Sequence, residues 1–309
     1  MATILVPLDG SRLAERALPL ASQLAHALGE QLRLERSYTF GANADLIPTL
    51  GIEDAARDYL QEQLEPLQRQ EGIFASISAE YGPAASRILA DAEAPDVAYI
   101  VMATHARAGF ERALIGSVAE QVTRGARVPV FLMPAAAPPD RELAPIRQVA
   151  VALDGSALSE ALIPPVLRLA GCLGASVTLM RAYAAPEEPL YDQQRRMIST
   201  IDQRFEHISA LAADYLATLA ERFSHGGVRP ATMHTLSDHP GDGVLEMART
   251  AEADLIVMAT HGRSGLDRLR HGSITEQVLR HSTVPLLAFG QKALDGLFSA
   301  PAAEAVARA

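Results

Sequence analysis

The sequence is poor in two residue types on which common enzyme sites depend. Its 309 residues include one cysteine, Cys172, and one lysine, Lys292, so nearly all the positive charge is carried by arginine. A lone cysteine cannot form a disulfide within the chain, and we expect Cys172 to be a buried thiol in a reducing compartment. The phosphate loop G-x-x-x-x-G-K-[ST] is absent, as are G-x-G-x-x-G, H-E-x-x-H, C-x-x-C and G-x-S-x-G. Several enzyme classes therefore lack their usual signature.

Long apolar runs and an excess of positive charge are missing as well. No stretch approaches the ~18 consecutive apolar residues of a membrane-spanning helix, and the first residues, MATILVPLDGS, do not resemble a signal peptide. The net charge of −10 disfavours binding to phosphate backbones and to anionic membrane surfaces. We expect a cytoplasmic protein with neither nucleic acid nor membrane as a partner.

What the sequence does contain is a long internal repeat. The segment 4–19 recurs within 150–164 at an offset of about 145 residues, with Asp9 matching Asp154 and Glu15 matching Glu160. The segment 99–133 recurs as 255–289 at an offset of about 156 residues. Repetition at this length indicates duplicated domains and not a solenoid. The predicted organisation is a first domain over 1–135, a Pro- and Ala-rich linker over 136–145 and a second domain over 146–290. The tail over 291–309 is predicted to be either a loose helix or disordered.

Each copy alternates short apolar runs with amphipathic helical patterns. Examples of the apolar runs are TILVPL (3–8), VAYIVMA (97–103) and ADLIVMA (253–259). Strands that are apolar throughout and separated by helices indicate a parallel sheet covered on both faces. We predict an α/β fold of two duplicated, doubly wound, Rossmann-like domains, each with a five-stranded parallel sheet.

A glycine-containing segment follows the fourth strand of each copy and ends in GSVAE (116–120) or GSITE (272–276). Ser followed three residues later by Glu is typical of a capping box, so Ser117 and Ser273 are candidate helix caps. The same free amides and positive helix end also suit a phosphate. Asp9 and Asp154 are candidate caps of the first helix. Ligands of doubly wound sheets bind beyond the carboxyl ends of the strands, where the strand order reverses, and the most similar repeated segments fall there, which favours a binding site.

On these residues the chain resembles a tandem universal stress protein, with one such domain over about 1–135 and another over about 146–290. The resemblance implies a sheet order of 3-2-1-4-5 in each copy and, in the nucleotide-binding branch, the pattern G-x2-G-x9-G-[ST] after strand four. The second copy reads Ala259, Gly262, Gly272-Ser273, and the first reads Ala103, Ala106, Gly116-Ser117. A side chain at 106 resists positive φ and points toward the phosphates, so we expect ATP to bind mainly in the second copy.

The resemblance also implies which residues contact ATP. In the second copy they are Ala152, Leu153, Asp154, Ala182, Met258, Ala259, His261, Gly262, Arg263, Gly272, Ser273, Ile274 and Thr275. In the first copy, with weaker binding, they are Pro7, Leu8, Asp9, Ser37, Met102, Ala103, Ala106, Gly116, Ser117, Val118 and Ala119. The histidines of the Thr-His pairs are expected to brace the loop, no catalytic residue is assigned, and the only metal expected is magnesium carried by ATP.

Three functions remain open at this point. The first is a stress-response regulator that binds an adenine nucleotide without turning it over, because the site has no lysine and no positioned base. The second is a slow ATPase or nucleotidyl-handling enzyme. The third is a nucleotide-free scaffold in which the last strands, Val128–Met133 and Val284–Phe289, pair and cover two exposed edges. The two copies are expected to form a pseudo-dimer within the chain, with a homodimer as a further possibility.

Overall fold

The fold consists of alternating strands and helices. In the computed structural model the described residues are 1–39, 51–69, 71–104, 116–137, 143–184, 201–225, 228–260 and 274–299. The elements of the first copy are β1 (Thr3–Pro7), α1 (Arg12–Glu15), α2 (Leu18–Leu28), β2 (Gln31–Tyr38), α3 (Ile52–Arg69), β3 (Ala75–Tyr81), α4 (Ala84–Asp91), β4 (Val97–Ala103), α5 (Ser117–Gly125) and β5 (Val130–Met133). Those of the second copy are β6 (Gln148–Ala152), α6 (Ala157–Glu160), α7 (Ile163–Leu173), β7 (Ser176–Tyr183), α8 (Ile201–His225), β8 (Ala231–Leu236), α9 (Pro240–Thr250), β9 (Leu255–Ala259), α10 (Ile274–His281), β10 (Leu286–Phe289) and α11 (Gln291–Ser299).

The chain forms two compact units, and the division does not follow the repeat at its end. The first unit holds Met1–Pro145 together with β10 and α11, and the second holds Ile146–His281. In the first unit the strand order is β3-β2-β1-β4-β5, which confirms the predicted order 3-2-1-4-5. In the second unit the order β8-β7-β6-β9 is the corresponding 3-2-1-4, and these neighbouring strands are parallel within each copy.

The last strand of the second copy pairs with the last strand of the first. β10 runs antiparallel to β5, with Leu286 opposite Leu132 and Ala288 opposite Val130. This confirms the predicted pairing of the two last strands. α11, from the tail, packs against α5 and buries Ala293 and Leu294, so residues 291–299 form a docked helix and not a loose one.

Proline divides the first helical region of each copy into two helices. A proline ring clashes with the carbonyl four residues earlier and has no N–H to donate. Pro19 and Pro164 stand four residues after Glu15 and Glu160, the residues at which α1 and α6 end. In the first copy the spacing of the apolar residues Leu13, Ala17, Leu20, Leu24 and Leu28 predicts one helix up to Gly29, and the structure corrects this to α1 followed by α2.

The cores are built from both faces of the central strands. Ile4, Leu5 and Val6 on β1 are fully buried, as is the run Val149–Val151 on β6. Burial on alternate and intervening positions alike is the mark of a sheet covered on both faces. Cys172, expected to be buried, is exposed, because α7 turns Val166, Leu169 and Ala170 toward the core and position 172 falls on the outer face.

None of the described helices combines the length and the apolar composition needed to cross a membrane.

Candidate functional site

The ends of β1 and β4 bring the predicted residues of the first copy to one edge of the sheet. β1 lies parallel to β4 with Leu5 opposite Ile100, so the carboxyl ends of both strands point the same way. Leu8, just beyond β1, donates its backbone N–H to the carbonyl of Glu35 at 2.8 Å. The predicted residues found at this edge are Pro7, Leu8, Asp9, Ser37, Met102 and Ala103.

The second copy repeats this arrangement. β6 lies parallel to β9 with Val151 opposite Val257, and the N–H of Leu153 donates to the carbonyl of Met180 at 2.8 Å. The matching hydrogen bond shows that position 180 is the equivalent of position 35. The predicted residues found at this edge are Ala152, Leu153, Asp154, Ala182, Met258 and Ala259.

The aspartates that follow β1 and β6 stabilise a turn and do not cap the next helix. Asp9 accepts the backbone N–H of Ser11 at 2.9 Å, and Asp154 accepts that of Ser156 at 2.9 Å. The caps are the serines, whose hydroxyl oxygens accept the N–H three residues later at 3.1 Å for Ser11 and 3.2 Å for Ser156. The prediction of aspartate caps is therefore wrong, because each aspartate carboxylate accepts a hydrogen bond within the turn that precedes the helix.

The start of α5 also differs from its prediction. Gly116 is the N-cap and provides no side-chain hydrogen bond, while Ser117 is the first helical residue and is exposed. The carboxylate of Glu120 is paired with Arg124 at 3.0 Å. The capping box predicted for Ser117 is thus wrong, and backbone amides at the start of this helix keep no side-chain cap. Val118 is half-buried and Ala119 is buried.

The glycine segments themselves are not covered by the structure. In the second copy α10 begins at Ile274, which is exposed, and the hydroxyl of Thr275 donates to the carbonyl of Ala259 at 3.4 Å. That bond ties the start of α10 to the end of β9. The predicted residues that lie outside the described ranges are Ala106, His261, Gly262, Arg263, Gly272 and Ser273.

A cavity of about 480 Å³ opens at the carboxyl edge of the first copy. Two predicted residues, Asp9 and Ser37, line it, and they are joined by Arg36 from β2. An apolar wall comes from the start of α3, with Ile52 and Ala55 among its members. Apolar walls with a few convergent polar groups are typical of a small-molecule site.

The cavity lies in the copy that the sequence predicts to bind more weakly.

Across the ranges that the structure describes, no group of three or more His, Cys, Asp or Glu side chains is placed to hold a metal ion.

Sequence reasoning missed an arginine that lies on a tyrosine ring in both copies. The guanidinium carbon of Arg36 is 4.6 Å from the ring centre of Tyr59, and that of Arg181 is 4.5 Å from Tyr215. Burial and a hydrogen bond to the carboxylate of Glu15 raise the pKa of Tyr59, and burial raises the pKa of Tyr215 to about 12. The repeat could have indicated this arginine, because LERSY (34–38) matches LMRAY (179–183) at the same offset that relates Asp9 to Asp154.

The family model of the universal stress protein family matches residues 1–134 and again 145–290. The chain belongs to this family. Two universal stress proteins, from Mycobacterium bovis and Mycobacterium tuberculosis, are each 28% identical to this universal stress protein over 194 residues, which cover 62% of this chain and 61% of theirs. The chain thus spans about three fifths of the length of these curated relatives.

Solved structures agree on the fold over nearly the whole chain. A universal stress protein from Archaeoglobus fulgidus aligns with a TM-score of 0.62 at 17% identity, covering 94% of this chain and 98% of that one. A putative universal stress protein from Pseudomonas aeruginosa aligns with a TM-score of 0.65 at 19% identity and covers 96% of both chains. At these identities the likeness establishes the shared architecture.

Proposed function

We propose that this universal stress protein is a cytoplasmic regulator that binds ATP, with or without magnesium, where the first and fourth strands of a copy end. The observation that carries the proposal is the cavity at the same carboxyl edge of the sheet, on the β2 side of β1, with Asp9 and Ser37 in its lining. The family resemblance implies both residues as nucleotide contacts. The uncapped start of α5 provides amides and the positive end of a helix dipole, which suit a phosphate.

We propose further that the second copy holds the tighter site. Its glycine segment keeps Gly262, whereas the first copy has Ala106 at the matching position. A Cβ at that position disfavours positive φ and takes space that a phosphate needs. The first copy then binds the same nucleotide more weakly, although its cavity is present.

Regulation fits the chemistry of these residues better than rapid turnover does. Phosphoryl transfer depends on groups that neutralise the developing charge and position the attacking water. The one lysine of the chain, Lys292, lies on α11 and not in the cavity lining. Bound ATP would instead act as a regulatory ligand that is not turned over.

A release-and-titration experiment tests the proposal. The purified chain is denatured and the supernatant is analysed for nucleotide, and ATP is then titrated into wild type, Gly272→Val and Gly116→Val. We expect bound ATP in wild type, a loss of affinity of tenfold or more in Gly272→Val, and a smaller loss in Gly116→Val. Gly171→Val is the control, because a side chain at this exposed helical position meets no neighbour.

The other outcomes are equally specific. No released nucleotide and no heat of binding in wild type contradict the proposal and favour a nucleotide-free scaffold. Release of phosphate on the scale of minutes favours a slow ATPase. Equal losses in the two glycine variants contradict the assignment of the tighter site to the second copy.

A further inference from the structure

The duplicated arginines of β2 and β7 hold hydrogen-bond donors that no described residue accepts. Within the part of the chain that the structure covers, neither Arg36 nor Arg181 forms an ion pair or a hydrogen bond, although both are half-buried. A guanidinium has five N–H donors in a planar fork and is the side chain best suited to bind two adjacent acceptors. Its tyrosine partner covers one face and leaves the in-plane donors open.

The position of each guanidinium is fixed from the turn side as well. Gly10 and Gly155 have φ of +86° and +82°, and a Cβ at these positions would stand 2.9 Å from Nη2 of Arg36 and 3.2 Å from Nη2 of Arg181. The guanidinium is therefore held between the turn glycine and the tyrosine ring. A charged group held this closely on two sides, twice in one chain, is preorganised for a ligand.

The strand spacing identifies which end of a nucleotide reaches Arg36. β2 and β4 flank β1, so their ends are about 10 Å apart at ~4.8 Å per strand. A nucleotide whose phosphates lie at the start of α5, after β4, extends its base toward β2. There the cavity has the apolar wall of Ile52, Ala55 and Ala56, against which a planar base can pack.

We propose that Arg36 and Arg181 determine the choice of purine and favour guanine. Guanine presents two adjacent acceptors, O6 and N7, which an arginine binds with two parallel N–H donors. Adenine presents N7 beside the N6 amino group, a donor that opposes the guanidinium, and its matching side chains are Asn and Gln. This inference rests on the proposed nucleotide site and extends its ligand class from ATP to GTP.

Competition between two nucleotides tests the inference on the full chain. We expect GTP to bind wild type at least as tightly as ATP. In the double variant Arg36→Gln, Arg181→Gln, the ratio of the GTP and ATP dissociation constants shifts toward ATP by about tenfold or more, as expected for one bidentate contact. The matched control, Arg36→Met with Arg181→Met, loses GTP affinity without gaining affinity for ATP.

A second measurement needs no variant and so does not depend on folding. 7-Deaza-GTP lacks the N7 acceptor, and we expect it to bind wild type about tenfold more weakly than GTP. If the arginines only support the turn, the variants lose ATP and GTP affinity equally and 7-deaza-GTP binds like GTP, which overturns the inference while the proposed nucleotide site stands. A wild-type chain that binds neither nucleotide overturns both.

Discussion

Glu35→Met stabilises the first unit by about 1–3 kcal/mol at neutral pH. Glu35 lies on β2 with no exposed surface. Neither of its carboxylate oxygens has a hydrogen-bond partner in the described ranges. A buried polar group without partners costs on this order in mutational data. The equivalent position of the second copy is Met180, so the repeat itself supplies the replacement and shows that the architecture accommodates it.

The stability that Glu35→Met gains over wild type grows as the pH rises. Burial, followed by the charge of Asp91, raises the pKa of Glu35 from 4.5 to about 8. Glu80 raises it further, while Arg33 and Arg87 lower it. Because the folded-state pKa is raised, the folded state retains the proton after the unfolded state has lost it. The associated stability is complete below pH ~4.5 and is lost as the pH rises through about 8, with about 2–3 kcal/mol lost between pH 6 and 9.

Hydrogen exchange of the β1 and β2 amides in wild type and Glu35→Met measures both effects. The difference between the two proteins isolates Glu35, since every other titrating group is common to both. Glu35→Gln is the matched control, because it cannot ionise but keeps a buried polar group, and it removes the pH dependence while recovering less stability. If the stabilities of wild type and Glu35→Met change in parallel with pH, the prediction is contradicted.

Gly290→Ala destabilises the first unit by about 1–3 kcal/mol or more. Gly290 joins β10 to α11, and a Cβ there would overlap the backbone carbonyl oxygen of Thr123 on α5. A flexible side chain can move away from such an overlap, but a backbone carbonyl oxygen in the last turn of α5 can move only if the main chain shifts with it. We therefore expect α11 and the end of β10 to separate from α5.

Urea denaturation and exchange of the Leu286–Phe289 amides test this prediction. The control is Gly296→Ala in the same helix, where a Cβ meets no neighbour. This substitution should stabilise the protein by about 0.5–1 kcal/mol, because alanine is the better helix former. Opposite signs for two Gly→Ala changes six positions apart identify the overlap as the cause, and equal signs would refute it.

The sequence predicts the architecture well because its signals are periodic and occur twice. The apolar runs that become β4 and β9 and the glycine that ends α2 are local patterns, and Gly29 takes φ +67° as a helix end requires. The errors arise where neighbouring residues compete for the same role. Ser11 and Asp9 each suit a cap, and only the geometry of the turn shows that serine takes it.

The position of the candidate site was predictable from the sequence, but not all of the residues that form it. Asp9 and Ser37 follow from strand ends and the family pattern, whereas Arg36 and Tyr59 meet across about twenty residues from different elements. Periodicity does not report which side chains face each other across a strand and a helix. Comparison of the copies could have shown it, since Arg181 and Tyr215 repeat the pair.

The pairing of β5 with β10 has a consequence for how the protein is made. Leu132 leaves the ribosome about 150 residues before its partner Leu286. During synthesis the apolar strand β5 is therefore complete while its neighbour does not yet exist, and exposed strand edges of this kind invite association between nascent chains. The first unit finishes folding only when residues 286–289 have been synthesised, so a chain truncated before residue 286 leaves the edge of β5 without its partner strand.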